Sequence, residues 1–215
     1  MRRIQIGFLT CLLVIVAGCS SVYYNTMERF GYEKRDILVS RVENARDAQT
    51  DAQETFANAL EQFQSVVNVP ESELSRTYNN LSRAYDQSKD AADRVSQRIR
   101  DIESVARDLF REWERELREY SSDSLRRQSE QQLRDTERQY EALISQMRRV
   151  ESRMEPVLTA FNDQVLFLKH NLNAQAIGAL RGELGRIESD VSILIENMQA
   201  AIAESEAFIA HFRSE

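Results

Sequence analysis

Proline and glycine are scarce in this chain, which has 2 prolines and 6 glycines among 215 residues. Folds with many strands or long loops need both residue types at their turns. The shortage argues against a sheet-rich fold. It predicts an all-α protein that is built from long helices.

Histidine and cysteine are equally scarce, with 2 of each. His170 and His211 lie far apart, and neither follows a carboxylate by three residues, as a di-iron site in a helical bundle requires. Both cysteines, Cys11 and Cys19, lie near the N-terminus, so the rest of the chain has no thiol for a zinc site or a disulfide. We therefore expect no metal and no other cofactor.

Motifs of catalysis are missing as well. Gly178, Gly182 and Gly185 are not followed by the Gly-Lys-Ser or Gly-Lys-Thr of a phosphate-binding loop. No candidate base lies near a candidate nucleophile in the sequence. The formal net charge of -7 argues against nucleic acid as a partner, because phosphate binding needs clustered lysine and arginine. The sequence predicts a protein that is not an enzyme and does not bind nucleic acid.

A short apolar run stands at the N-terminus. Arg2 and Arg3 precede it, and residues 4–16 are apolar apart from three positions. The run is too short for a comfortable membrane span, which needs about 20 apolar residues. A basic start followed by a short apolar run is typical of an export signal.

The apolar run ends in Val16-Ala17-Gly18-Cys19, which resembles the lipobox of bacterial lipoproteins. The resemblance implies cleavage between Gly18 and Cys19, a diacylglycerol on the Cys19 thiol and a further acyl chain, such as palmitate, on its freed amine. Ser20 follows instead of the aspartate that retains lipoproteins in the inner membrane, so the resemblance implies the periplasmic face of the outer membrane. An ordinary secretory signal and an uncleaved N-terminal anchor are the alternatives.

Apolar residues recur at alternating steps of four and three through the rest of the chain. This period is typical of coiled-coil-like packing, because it keeps one face of each helix toward its neighbours. The basic apolar start and the resemblance to the lipobox imply a signal peptide over residues 1–18 and a lipid-anchored tether over 19–32. The period predicts a bundle over residues 33–215, with helices over about residues 33–67, 70–120, 123–171 and 175–213. The most regular seam consists of Leu74, Tyr78, Leu81, Tyr85, Ser88, Ala92, Val95, Ile99, Ile102, Ala106, Leu109 and Trp113.

Short breaks separate the four seams. Asn68-Val69-Pro70 ends the first helix, since proline disfavours helical backbone at the residue before it. Ser121-Ser122-Asp123 is interpreted as a tight turn, with Ser122 or Asp123 as the N-cap of the next helix. Pro156 lies inside the third seam, whose spacing continues across it, so we expect a kinked helix rather than a break.

Four helices joined by short turns predict an elongated antiparallel up-down-up-down helical bundle with coiled-coil-like heptad packing. The second and third helices are the longer pair, so their hairpin should project by roughly 15 to 20 Å at the lipidated end. The pattern leaves open whether the seams close within one chain or across several. A homo-oligomer therefore stays among the expectations.

The third helix ends with a run of four successive apolar residues, Val165, Leu166, Phe167 and Leu168. A seam at steps of four and three needs an apolar residue only at every third or fourth position. A helix that is apolar on all sides is buried on all sides, so our first interpretation is a sealed end of the bundle. The alternative is a contact patch for a partner protein. Both interpretations place the run against other protein.

Three segments of the chain resemble a family of uncharacterised proteobacterial lipoproteins of similar length, an all-helical domain of unknown function. They are Tyr-Tyr-Asn-Thr-Met-Glu-Arg-Phe-Gly at residues 23–31, Glu-Lys-Arg-Asp-Ile-Leu-Val-Ser-Arg-Val at 33–42 and Leu-Lys-His-Asn-Leu-Asn-Ala-Gln-Ala-Ile at 168–177. The resemblance covers essentially the whole mature chain. It implies no established activity, so no functional residues follow from it.

The anchor and the seams suggest two functions. The first is a non-enzymatic scaffold or adaptor, held at the outer membrane by its N-terminal lipid and bound to an unknown envelope protein. The second is a periplasmic binding module or chaperone that shields a hydrophobic or lipid cargo within an opened bundle. Ile195, Ile202 and Ile209 favour the second, because they widen the apolar face of the fourth helix.

Overall fold

The computed structural model consists of four long α-helices and one short 3-10 helix. It describes the backbone of residues 2–66, 70–171 and 174–214, and the side chains of residues 34–66, 70, 72–171 and 177–213. The long helices are α1 (Arg2–Val66), α2 (Leu74–Glu116), α3 (Asp123–His170) and α4 (Ala174–Ser214), and the 3-10 helix Glu71–Glu73 precedes α2. Because these residues contain no β-strand, the expectation of an all-α fold is confirmed.

The observed helix ends lie within a few residues of the predicted ones, except at the N-terminus. Helix α1 begins at Arg2, whereas the sequence predicted a helix from about residue 33. No proline interrupts residues 2–66, and Gly7, Gly18 and Gly31 each cost only about 1 kcal/mol inside a helix, so the helical backbone can continue through them. A helical backbone does not reveal where a chain is processed, so the division at residues 18 and 32 stays a prediction.

Helix α1 packs against α2 and α4, and α3 packs against the same two helices, so the four helices form a closed square. Glu43 of α1 pairs with Arg213 of α4, whereas Gln64, further along α1, bonds Glu188, earlier on α4. This reversed order is what antiparallel neighbours require. Two pairs between α2 and α3 show the same reversal: Trp113 with Ser129, and Glu103 with Arg148. These contacts are consistent with the expected up-down-up-down order.

The predicted seams form one continuous apolar core, which confirms bundle packing. Each large side chain removed from water contributes about 1.5–3 kcal/mol, so the core is the main stabilising feature of the fold. A single chain buries these residues, so the seams close within one chain. The largest fully buried side chains are Phe56, Phe63, Phe161, Leu38, Leu74, Leu81, Ile99, Ile102, Leu143, Met147, Met154 and Leu168.

The seam of α2 differs from the prediction at two positions. Tyr78 and Tyr85 were expected in the core, but both are only partly buried at its edge. The residues that precede them, Thr77 and Ala84, are buried instead. A tyrosine at the edge keeps its hydroxyl in water, and the smaller neighbour fits between the helices. The period of the seam is retained, because each replacement lies one residue away.

The turns follow the predicted chemistry where the structure describes them. Ser122 is the N-cap of α3, and its hydroxyl accepts a hydrogen bond from the backbone N–H of Leu125 over 3.5 Å. Helix α3 continues through Pro156, so the expectation that the helix does not break there is confirmed. The carbonyl of Pro70 accepts a hydrogen bond from the N–H of Glu73, which starts the turn before α2. Residues 67–69 and 172–173, which were predicted to turn, lie outside the described residues.

The α2–α3 hairpin extends past the end of α4. Arg213, near the end of α4, pairs with Glu43, whereas Lys34, nine residues earlier on α1, pairs with Glu112 of α2. Helix α2 continues to Glu116 before the chain turns into α3. At 1.5 Å per residue the hairpin projects about 20 Å beyond α4, as predicted, and α1 runs beside it to Lys34 at least.

Candidate functional site

The lipobox residues lie within the helical backbone of α1. The side chains of Val16, Ala17, Gly18 and Cys19 are outside the described residues, so acylation of Cys19 stays a prediction. Along the parts of the chain that the structure describes, no helix combines the length and the hydrophobicity needed to cross a membrane.

The four apolar residues at the end of α3 divide into two pairs. Val165 and Leu168 are buried in the core, while Leu166 is 50% exposed and Phe167 is 39% exposed. The expectation of a sealed bundle end is therefore wrong for Leu166 and Phe167. The physical reason is the helical period: residues three apart share a face, and the face between them points away from α2 and α4. We call Leu166 and Phe167 the exposed apolar pair.

The exposed apolar pair lies at the end of the bundle that is remote from Cys19. The ring of Phe161 in α3 stacks on Phe56 of α1, with 6.4 Å between ring centroids. The last turn of α3 is therefore level with the last turn of α1. A contact of Leu166 and Phe167 with a partner protein therefore stays a prediction.

A polar groove of about 680 Å³ lies between α1 and α2. Ala59 and Ala84 contribute small side chains to its wall, and the other lining residues are amides, hydroxyls and charged groups. The guanidinium of Arg83 in this groove bonds the side chain of Asn80 over 2.6 Å. Sequence reasoning missed the groove, because its residues come from two helices and have no common motif.

A second groove, of about 540 Å³, lies at the turn between α2 and α3. Leu117 and Tyr120 form its apolar part, and Arg118 and Arg126 are the basic residues in its lining. Arg126 pairs with two acids of the same lining, Asp123 at 3.0 Å and Glu130 at 3.8 Å. Leu125 stands beside the groove and is 54% exposed. The sequence pattern predicted only a turn in this segment.

Helix α1 contacts α2 close to this turn, through the first residues of α1 whose side chains are described. Lys34 forms an ion pair with the partly buried Glu112. The guanidinium of Arg35 lies 4.3 Å from the centre of the Trp113 ring, within the range of a cation–π contact. The indole N–H of Trp113 donates to the hydroxyl of Ser129 over 2.8 Å. These contacts join α1, α2 and α3 where α4 has ended.

Two carboxyl groups near the hairpin have raised pKa values. Burial raises the pKa of Glu116 above its ordinary value, and the negative charges of Glu112 and Glu119 raise it further. Burial also raises the pKa of Glu137, with Glu114 as the next cause. Burial is thus the largest cause of both shifts, and neighbouring carboxylates add to it.

No cluster of three or more histidine, cysteine or acidic residues able to hold a metal ion occurs where the structure describes the chain. A family model described as "Protein of unknown function (DUF2959)" matches residues 23–212. No curated protein and no solved structure shows a significant match. The match thus covers the described bundle and starts shortly after Cys19.

Proposed function

We propose that this chain, which belongs to the DUF2959 family of proteins of unknown function, is an outer-membrane lipoprotein that serves as a non-enzymatic periplasmic scaffold or adaptor. The observation that carries the proposal is Val16-Ala17-Gly18-Cys19 at the end of a short apolar run. Acylation of Cys19 with several chains makes a durable anchor, whereas one chain binds only marginally. Ser20 supports the outer membrane, and the resemblance of residues 23–31 to proteobacterial lipoproteins supports a proteobacterial envelope.

The shape of the bundle supports an adaptor role. The backbone of α1 is helical from Cys19 to Val66, so at 1.5 Å per residue its far end stands about 70 Å from the anchor. The exposed apolar pair, Leu166 and Phe167, lies at that far end. An aromatic and an aliphatic side chain together suit the apolar centre of a protein interface. The anchor would hold the protein while the far end engages an envelope protein.

Metabolic labelling with palmitate tests the anchor. We expect the wild-type chain to incorporate the label and fractionate with the outer membrane, and Cys19→Ala to lose both properties, because its side chain has no thiol to acylate. Cys11→Ala is the matched control, since it removes a cysteine that is cleaved off with the signal. Unlabelled wild-type protein, or an acylated Cys19→Ala variant, would refute the proposed location.

Site-specific photocrosslinking in intact cells tests the adaptor role. A photoreactive amino acid replaces Leu166 or Phe167, and in the control it replaces Ile193, which is exposed to a similar extent on α4. We expect a discrete adduct with one envelope protein from the two α3 positions and none from the control. Identical adduct patterns at all three positions, or no adduct at any, would contradict a docking end.

The alternative proposal, a binding module for hydrophobic cargo, has less support. It was motivated by extra apolar residues on α4, and packing accounts for part of them, since Phe208 and Ile209 are buried in the core and Ile195 packs against it. Native mass spectrometry of the protein purified from membranes separates the two proposals. A bound lipid besides the covalent acyl chains would favour the binding module.

A further inference from the structure

We propose that the tip of the α2–α3 hairpin, residues 117–127, rests on the phospholipid surface of the membrane that holds the N-terminus. The inference depends on the proposed anchor at Cys19 and adds a second contact with the same membrane. We call these residues the hairpin tip. Three observations support the contact: the position of the tip, its apolar side chains and its charges.

The position follows from the register of α1 against α2. Lys34 pairs with Glu112, so these residues lie at the same level of the bundle. From Lys34 the helical backbone of α1 returns 15 residues to Cys19, which is about 22 Å. From Glu112, α2 advances 4 residues to Glu116, and the hydrogen bonds of Arg118 and Glu119 to the carbonyls three residues before them continue the winding, so Tyr120 lies about 12 Å further in the same direction. Tyr120 therefore lies within about 10 Å of the level of the acylated residue, a distance comparable to one headgroup layer and the length of a tyrosine side chain.

The apolar side chains of the tip face solvent. Tyr120 is 42% exposed and Leu125 is 54% exposed, the largest exposure among the described large hydrophobic residues. Leu117 and Tyr120 also line the groove at the turn. A tyrosine at the headgroup level is favourable, because its ring is apolar and its hydroxyl remains in contact with water.

The tip has a small positive excess for phosphate groups, since residues 117–127 carry three arginines against the two acids Glu119 and Asp123. Arg118 and Arg127 are exposed, and neither side chain forms an ion pair among the described residues. The third arginine of the tip, Arg126, is occupied by Asp123 and Glu130, so it partly neutralises the acids that line the groove. Guanidinium groups bind phosphate oxygens through charge-assisted hydrogen bonds. Lipid phosphates are thus the available partners for Arg118 and Arg127.

The contact need not be strong by itself. A second attachment on an anchored chain is intramolecular, so its effective concentration is high even when its own affinity is low. Two points of attachment limit the tilt of the bundle relative to the membrane. The exposed apolar pair would then be held at a defined distance from the surface, which gives the hairpin projection a function.

The test uses the full mature chain, acylated at Cys19, in vesicles of phosphatidylethanolamine and phosphatidylglycerol. Because the mature chain has no other cysteine, Tyr120→Cys and Leu125→Cys each provide one site for an environment-sensitive fluorophore. Ile193→Cys and Leu166→Cys are matched controls, since both positions are exposed and lie away from the tip. We expect headgroup-linked nitroxide lipids to quench the two tip probes about twofold and to leave both controls unchanged.

Charge reversal tests the role of the arginines. In the Leu125→Cys background, Arg118→Glu with Arg127→Glu should abolish the quenching, because glutamate is repelled by lipid phosphate. Arg149→Glu with Arg153→Glu is the matched control, since it reverses two exposed arginines of α3 outside the tip. Unchanged helical circular dichroism shows that each variant still folds.

Each remaining outcome overturns the inference in a recognisable way. If the protein floats with the vesicles but the tip probes are as unquenched as the controls, the anchor stands and the contact of the tip is wrong. Equal quenching at all four positions means that the bundle lies flat on the surface, which also refutes the proposal. If the acylated protein does not float with the vesicles, the anchor itself fails, and the inference fails with it.

Discussion

Gln49 has no exposed surface, and neither its side-chain oxygen nor its nitrogen has a hydrogen-bond partner among the residues whose side chains are described. An amide buried in this way costs about 1–3 kcal/mol. A polar residue at a seam position can fix the register of packed helices at such a cost in stability. At the scale of single residues, the core is therefore not optimised for stability alone.

Replacing Gln49 by methionine should stabilise the bundle. Gln49→Met keeps nearly the same length and volume but removes the unpaired amide, so we expect the free energy of unfolding to rise by about 1–2 kcal/mol. Urea denaturation followed by circular dichroism measures the change. Gln53→Met, at a partly buried position one turn away, should change it by less than about 0.5 kcal/mol. A destabilised Gln49→Met protein would show that the amide is satisfied in solution.

The raised pKa of Glu116 predicts that its replacement by the neutral glutamine increases the stability of the fold, by an amount that depends on pH. A carboxyl whose folded pKa lies above its ordinary value near 4.5 destabilises the fold once it ionises. Below the ordinary pKa the carboxyl is protonated in both the folded and the unfolded protein, so it does not affect stability. As the pH rises through the folded pKa, its unfavourable contribution to stability grows to its full size.

We therefore expect Glu116→Gln to unfold at a higher urea concentration than the wild type at about pH 7, and this gain to vanish below about pH 4. Glu155→Gln, at an exposed position of α3, is the control and should show no such gain. A Glu116→Gln protein that is less stable than the wild type at neutral pH would contradict the assigned cause.

At the scale of the helices, small side chains determine how α1 meets its neighbours. Ala45, Ala52 and Ala59 recur at intervals of seven along α1, and all three are buried. The alanines imply a close approach of the neighbouring helices along this stripe. The groove that Ala59 and Ala84 share lies on the same stripe.

Enlarging one of these alanines should destabilise the bundle. Ala52→Leu inserts three carbon atoms into a fully buried position, and we expect it to cost about 1–3 kcal/mol. Ala179→Leu, at an exposed position of α4, should be neutral. Thermal and urea unfolding of the two variants provide the comparison. Equal stability of both would mean that the space around Ala52 is not closely filled.

At the scale of the whole molecule, the apolar core of the described side chains begins at Leu38 and involves all four helices. The N-terminal segment of α1 precedes this core. The bundle should therefore not need its first 32 residues to fold.

A chain that starts at residue 33 tests this independence. We expect its circular dichroism to remain helical and its unfolding midpoint to match that of the full chain, because no described core residue is lost. The full-length protein, measured in detergent, is the reference. A lower midpoint would show that residues 1–32 pack on the bundle and contribute to its stability.

Much of the fold could be predicted from the sequence, because heptad spacing is a local property. The seams, the N-cap at Ser122 and the passage of α3 through Pro156 all depend on residues within one or two turns of each other. The prediction was wrong at Tyr78 and Tyr85, because a heptad pattern does not distinguish a seam position from its flank. It was also wrong about a sealed end at Leu166 and Phe167, since four apolar residues in a row do not show which faces have neighbours.

The sequence by itself determined the helical class, the number of helices and the candidate anchor at Cys19, since each depends on residue types at short, regular spacing. Only the tertiary structure decided that Tyr78 lies at the edge of the core, that Leu166 and Phe167 face solvent and that Lys34 of α1 lies beside Glu112 of α2. The reason is that exposure and level depend on which helices stand beside a residue, and that arrangement joins parts of the chain that are far apart in sequence.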